Sequence, residues 1–326
     1  MGHYREKLEN QQIWIYVISL IVGALIGLSS ERFGAYFAFA ISPLIAILMY
    51  GMFSQIPFLK LKKALSNRKF IVVLLLGNFV VVPVIVWLLI MLFPQPTPIL
   101  LGVCLVLLTP CIDYVIVFTQ LGKGNEKLIL AATPILFVVQ LLLLPLYLWI
   151  FIGEEMVGIV QIQPFLGAFV LLIAVPFMLA VATQLWAKNQ SFGARVLASA
   201  AWLPVPFMAF VLIAVVASQI AKVYRDFGII LDVIPIYILF LIVTPIVARG
   251  LIFVFKLEVR AGRALIFSMG TRNSLVVLPL AFALPDAWAT IAAAIIVTQT
   301  IVELVGELAY IKIVPKWILR NKGEFV

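Results

Sequence analysis

Five consecutive residues, Gly270-Thr271-Arg272-Asn273-Ser274, stand in the middle of an apolar run from Ala264 to Leu284. They bring together a glycine, a permanent cation, an amide and two hydroxyls in a stretch whose length of about 20 residues suits a membrane span. A charge at bilayer depth costs at least about 2.5–3.5 kcal/mol, so such a residue normally faces a partner or a wet cavity. Arg272 therefore has two readings, a structural ion-pair partner or part of a polar site. A second polar cluster, Thr109-Pro110-Cys111-Ile112-Asp113, interrupts an apolar run in the first half of the chain. Pro110 removes a backbone donor and clashes with the preceding turn, freeing carbonyls near Val106 and Leu107. Taken alone it is either an ordinary kink or a broken helix lining a cavity inside protein. Asp113 favours the second, because a buried carboxylate matched by a buried arginine at the corresponding point of the other half is hard to assign to packing.

Cys111 adds a soft ligand to this cluster. Soft sulfur ligands select soft centres. The competing reading is a small buried hydrophobe, which suits Cys104, seven residues earlier. Asn78, beside Gly77, is either a ligand contact or glue between helices, and Gln140 is similar. Glu303 and Glu307, four residues apart, share one face of a helix. Glu303, the deeper in its span, is either a proton-titrating carboxylate or a structural partner of Arg249 or Arg272. Glu307 is expected at the cytoplasmic interface. Arg249, near the end of its span, can snorkel to water and needs no functional account.

The elements that position these residues follow from composition. The chain is 65% hydrophobic and 11% charged, against about 45–50% and 25% for a soluble domain. It reads as an all-α, polytopic membrane protein. Ten spans fit the apolar runs, at 12–29, 33–53, 68–93, 97–121, 126–151, 160–184, 195–218, 229–254, 263–284 and 287–313. Eighteen of the 23 basic residues then lie on the amino-terminal side, and only Arg32, Lys222 and Arg225 on the other. This asymmetry places both termini in the cytoplasm and favours an even number of spans. It also assigns the net charge of +9 to cytoplasmic loops rather than to a nucleic-acid partner. The first span follows a mixed-charge start with no clear small-residue cleavage site, so it reads as a retained helix rather than a signal peptide.

Two sets of five spans suggest inverted repeats, at 1–155 and 156–326, because an odd-numbered unit reverses its topology on duplication. Pro43 to Pro204 and Cys111 to Arg272 are both separated by 161 positions, and the second pair links the two most polar mid-membrane sites. The fourth and ninth spans would then cross at their broken centres, where Asp113 and Arg272 meet as a site pair or as a structural salt bridge. Discontinuous helices at corresponding points of two halves are the best sequence pointer to a transporter's binding site.

The run Thr271-Arg272-Asn273-Ser274-Leu275-Val276-Val277-Leu278-Pro279-Leu280-Ala281 resembles the ninth-helix motif of the bile acid:sodium symporter superfamily. Leu108-Thr109-Pro110-Cys111-Ile112-Asp113-Tyr114, followed by Gly122-Lys123-Gly124-Asn125, resembles its fourth helix and the turn beyond. Within that superfamily the cysteine next to proline, and Val302-Glu303-Leu304-Val305, are similar to the arsenite-efflux permeases. The resemblance implies ten helices, with a panel of helices 1, 2, 6 and 7 and a core of helices 3–5 and 8–10. It also exposes departures. Sodium-coupled members carry an acidic residue and a glutamine where this chain has Ser268 and Arg272. A fixed guanidinium there opposes sodium, since like charges 4 Å apart repel by about 4 kcal/mol at an effective dielectric of 20. Arsenite permeases usually show a glutamate where Leu275 and Val276 stand, leaving that role lost or moved to Asp113 or Glu303.

The expected function is sodium-independent export of arsenite or a similar small oxyacid across the cell membrane, with a coupling proton on Asp113 or Glu303. The alternative is an organic-anion transporter in which Arg272 binds a carboxylate, assisted by half-helix N-termini. The expected site is Thr109, Pro110, Cys111, Asp113, Thr271, Arg272, Asn273, Ser274, Glu303 and Asn78. No cofactor is expected. The only histidine is His3, which removes His-based metal sites and bases, and both cysteines share one apolar segment, so no extracellular disulfide framework is implied. An intramembrane enzyme is disfavoured by the lack of an HExxH motif or a catalytic pair of aspartates.

Overall fold

The computed structural model describes residues 8, 11–56, 67–112, 114–153, 167, 170–225 and 227–320. Among the described residues the regular structure is helical and no strand forms. The chain runs through α1 (Gln12–Ser29), α2 (Glu31–Tyr36), α3 (Ala38–Gln55), α4 (Arg68–Leu76), α5 (Val82–Leu92), α6 (Thr97–Leu107) and α7 (Val115–Leu121). It continues through α8 (Glu126–Ile152), α9 (Val175–Asn189), α10 (Ser191–Ala200), α11 (Pro204–Arg225) and α12 (Phe227–Val254). Then come α13 (Val259–Gly270), α14 (Ser274–Phe282) and α15 (Asp286–Ile313). A π-helical turn at Gly77–Val81 joins α4 to α5.

Seven helical stretches among the described residues are long and apolar enough to cross a membrane. Trp14–Ser29 and Thr97–Leu107 are shorter apolar helices. The difference from ten is partly physical: the runs at 97–121 and 263–284 do not form continuous helices but break at Leu107 and at Gly270. Of the run at 160–184, residues 167 and 170–184 are described, and the span Val170–Asn189 is counted among the seven.

Two compact units emerge. The first comprises 1–59, 159–228 and 278–294. Within it α1 lies against α11 through small residues: a Cβ on Gly27 would stand 2.5 Å from the Ala217 carbonyl oxygen, and one on Gly23 2.9 Å from that of Ile213. Only a hydrogen at these positions lets the backbones approach so closely. Gln184 of α9 donates to the Ile56 carbonyl at 2.8 Å, closing the end of α3.

The second unit comprises 60–158, 229–277 and 295–326 and contains both helix breaks. Its helices start on caps written into the sequence. The Asn67 side chain accepts from the Phe70 N–H at 3.1 Å, and Asn125 does the same for Leu128 at 3.3 Å, each satisfying one orphan donor of a first turn. Beside the Asn125 cap the buried Arg263 donates to the carbonyls of Lys123 and Leu319, both at 3.1 Å. It thereby fastens the α7–α8 turn and the segment after α15 to α13.

Candidate functional site

The first break follows from Pro110. α6 ends at Leu107, the next residues turn, and α7 begins at Val115. The second break contains no proline. α13 ends at Gly270, and the chain becomes extended at Thr271 (φ −89°, ψ 130°) before α14 begins at Ser274. The two interruptions run antiparallel and pair as a single bridge between Pro110 and Arg272. Cys111 N–H donates to the Thr271 carbonyl at 3.1 Å, and Asn273 N–H donates to the Thr109 carbonyl at 2.9 Å. Each break thus satisfies backbone groups freed by the other, as buried polar groups require.

Three further carbonyls, those of Leu107, Ser268 and Met269, converge on Arg272, which is fully buried. Its Nη2 donates to the carbonyls of Ser268 and Met269, both at 2.7 Å, and to Asn78 Oδ1 at 2.8 Å. Its Nη1 donates to the Leu107 carbonyl at 3.3 Å. The carbonyls belong to the last turns of α13 and α6, whose dipoles put partial negative charge there. The Phe240 ring lies 5.6 Å from the guanidinium carbon, close enough for a cation–π contact. Among the described residues, four neutral oxygens and two helix ends hold the charge. Nε has no hydrogen-bond partner among the described residues.

Glu303 reaches the same crossing from α15. It accepts from the backbone N–H of Arg272 at 2.7 Å, from the Tyr114 hydroxyl at 2.7 Å, and from Gln299 Nε2. Its contact is thus with the main chain of Arg272, and Asn78 Oδ1 supplies the side-chain oxygen on the guanidinium. Glu307, expected at the interface, is instead fully buried, and its Oε1 lies 3.0 Å from the Thr271 hydroxyl. The reason is its placement one turn beyond Glu303 on the face turned to the crossing, where Gly270 makes room. A Cβ on Gly270 would stand 2.7 Å from the Tyr310 ring and 3.5 Å from Glu307 Oε1.

The other expected residues are also placed here. Thr109 is buried and spends its hydroxyl on the carbonyls of Leu105 and Val106, at 2.9 and 3.1 Å, closing the end of α6. Cys111 is fully buried, as is Cys104. Asn78 donates to Ser268 Oγ at 3.1 Å as well as receiving Arg272, so it joins the π-helical turn to α13. Asn273 caps α14, its Oδ1 3.4 Å from the Val276 N–H. Asn273 Nδ2 and Ser274 Oγ, both buried at the start of α14, have no hydrogen-bond partner among the described residues. Neither amide atom of the buried Gln140 has a partner either. Asp113 lies outside the described residues.

Tyr114, Gln299 and Phe240 belong to the cluster without having been proposed as site residues from the sequence, and Glu307 joins it from the interface position expected for it. The four-residue spacing of Gln299, Glu303 and Glu307 was the available signal, since it stacks them on one helical face. Phe240 offered none. Chemically, the crossing presents two opposite environments: carbonyl-rich helix ends filled by a built-in cation, and a helix start with unspent donors.

The turn after the first break is tightly seated. A Cβ on Gly122 would stand 2.2 Å from the Phe267 ring. Lys123 takes a left-handed conformation (φ 56°), and Asn125 N–H donates to the Arg260 carbonyl at 2.9 Å.

Comparison with curated proteins gives no match. A family model does match, over residues 42–226, a segment that holds the Pro110 break but not the Arg272 break. This is more than half of the chain, and its helical, apolar architecture accords with a membrane transporter. The chain belongs to the sodium bile acid symporter family.

Proposed function

We propose that this protein is a sodium-independent secondary transporter that exports arsenite or a similar small oxyacid from the cytoplasm across the cell membrane. The observation that carries the sodium independence is the oxygen shell of Arg272. The guanidinium draws on Leu107, Ser268, Met269 and Asn78, so a mobile cation entering there would meet both a filled shell and a like charge. In this reading the chain makes ten spans as two inverted repeats, 1–155 and 156–326, with both termini cytoplasmic, a panel of helices 1, 2, 6 and 7 and a core of helices 3–5 and 8–10. The broken helices at Leu107 and Gly270 count as the fourth and ninth spans. Residues 278–294, grouped with the first unit, depart from a strict panel and core division.

Cys111 is the residue proposed to select arsenite. It follows Pro110 at the crossing, where a single thiol would replace one hydroxyl of arsenous acid, its proton leaving with that hydroxyl as water, and the reverse hydrolysis would release the arsenic. Glu303, held by Tyr114, Gln299 and the Arg272 backbone, is proposed to carry the coupling proton. The direct test is arsenite uptake into everted vesicles. Uptake is expected to follow an imposed pH gradient, to ignore sodium, and to fall at least tenfold in Cys111→Ser. Unchanged uptake in that variant sinks the thiol reading.

A second reading, organic-anion transport, is favoured by the unspent donors Asn273 Nδ2 and Ser274 Oγ at the start of α14, where the helix dipole attracts negative charge. It no longer needs Arg272 as the carboxylate ligand, since that guanidinium is committed to carbonyls. Carboxylate uptake that survives Cys111→Ser but is lost in Asn273→Ala would replace the first reading with this one.

A further inference from the structure

Glu307 is a fully buried carboxyl group that the transport reading leaves without a role. One oxygen, Oε2, has no hydrogen-bond partner among the described residues. The other, Oε1, lies 3.0 Å from the Thr271 hydroxyl, which itself lies 2.6 Å from the Phe267 carbonyl. A hydroxyl has one hydrogen to give, and a carbonyl can only accept. The hydrogen therefore goes either to Phe267 or to Glu307. If it goes to Phe267, the Thr271 oxygen is left to accept, and the partner that donates to it is a carboxylic acid on Glu307. If it goes to Glu307, the carboxyl group is ionised with an unpartnered oxygen in a fully buried position, which is costly unless charge lies nearby.

The same arithmetic recurs one turn away. The Tyr114 hydroxyl faces the Arg272 carbonyl at 3.0 Å and Glu303 Oε1 at 2.7 Å, again one hydrogen between two acceptors. Two hydroxyls thus stand between two carboxyl groups and the main chain of the second break. We propose that Glu307 is a second proton-binding group of the crossing, and that the Thr271 hydroxyl transmits its charge state to the end of α13. The inference rests on the proton-coupled reading only for its use in transport, not for the existence of the site.

Among the described residues, the groups facing Glu307 are Glu303 and Tyr310 on its own helix and Thr271 and Arg272 on the break. Tyr310 gives its hydroxyl to the Leu241 carbonyl, and Gln299, Glu303, Glu307 and Tyr310 line one face of α15. The proton balance is simple. Release of the Glu307 proton to water leaves a carboxylate, and the Thr271 hydrogen swings from Phe267 to Oε1. The Phe267 carbonyl keeps the Thr271 N–H at 2.9 Å, so the main chain tolerates the exchange.

The test is infrared difference spectroscopy of the purified full-length protein in liposomes, titrated with pH and followed at the carboxylic C=O stretch. Two pH-responsive bands are expected, one lost in Glu307→Gln and the other in Glu303→Gln. Thr271→Val should shift the Glu307 band, and Thr271→Ser should restore its position. A Glu307→Gln spectrum identical to wild type over the whole titration overturns the proposal. Should that variant fail to fold, Glu307→Asp serves: a displaced band supports the site, and an unmoved one overturns it. Vesicle uptake keeps the two ideas apart. Arsenite transport indifferent to a pH gradient, with the Glu307 band present, removes the coupling reading and leaves the proton site standing.

Discussion

The two helix breaks do the same job by different chemistry. At Pro110 the covalent structure forces the interruption, because a proline nitrogen has no hydrogen to give. Its side chains then close the end locally, as Thr109 does on Leu105 and Val106. At Arg272 nothing in the backbone forbids a helix. The interruption persists there because the guanidinium bonds the carbonyls that the break exposes on its own helix, Ser268 and Met269, together with Leu107 of the other. One break is made by an absent donor and the other is held by a surplus of donors. The lesson is that the second break supports the first: its side chain reaches across, whereas the contacts of the Pro110 segment with the second break are mainly main-chain ones.

That asymmetry sets the order of expected damage. Arg272→Met should be the most severe change, because it leaves several buried acceptors unsatisfied at about 1–3 kcal/mol each. Thermal unfolding of the detergent-solubilised protein should show a loss of more than about 3 kcal/mol. A near-neutral result would mean that the guanidinium does not hold the crossing. Gly122→Ala should cost about 1–3 kcal/mol through overpacking, since the new methyl meets the Phe267 ring. The same unfolding assay checks it, and a second-site Phe267→Leu should recover part of the loss. Asn125→Ala removes the cap of α8 and should cost about 1 kcal/mol, visible as faster hydrogen exchange in the first turn of that helix. Pro110→Ala should alter stability least, by under about 1 kcal/mol, because the cross-bonds from Cys111 and Asn273 keep the break open. If it unfolds the protein as Arg272→Met does, the two breaks are equivalent and the comparison fails.

The membrane character, the helical class and the two break positions were legible in the sequence, because hydropathy is a sum over residues and proline and charge are local facts. The carbonyl freed at Leu107 was also legible, since the consequence of a missing donor appears a fixed distance back along the helix. The fate of that carbonyl was not. Arg272 was read as an anion ligand or an ion-pair partner, and among the described residues its guanidinium donates to neutral oxygens. Glu307 was misplaced for a related reason: depth was counted along its own span, while burial depends on what packs against it.

The sequence by itself determined which residues had to be hidden from lipid, since a guanidinium, two carboxyl groups and an amide in apolar runs must find partners somewhere. Only the tertiary structure decided the partners. It set two helix ends against one arginine and put Tyr114 and Thr271 beside the two glutamates. Those pairings join residues far apart in the chain, and long-range contacts of this kind depend on how whole helices pack rather than on any local spacing.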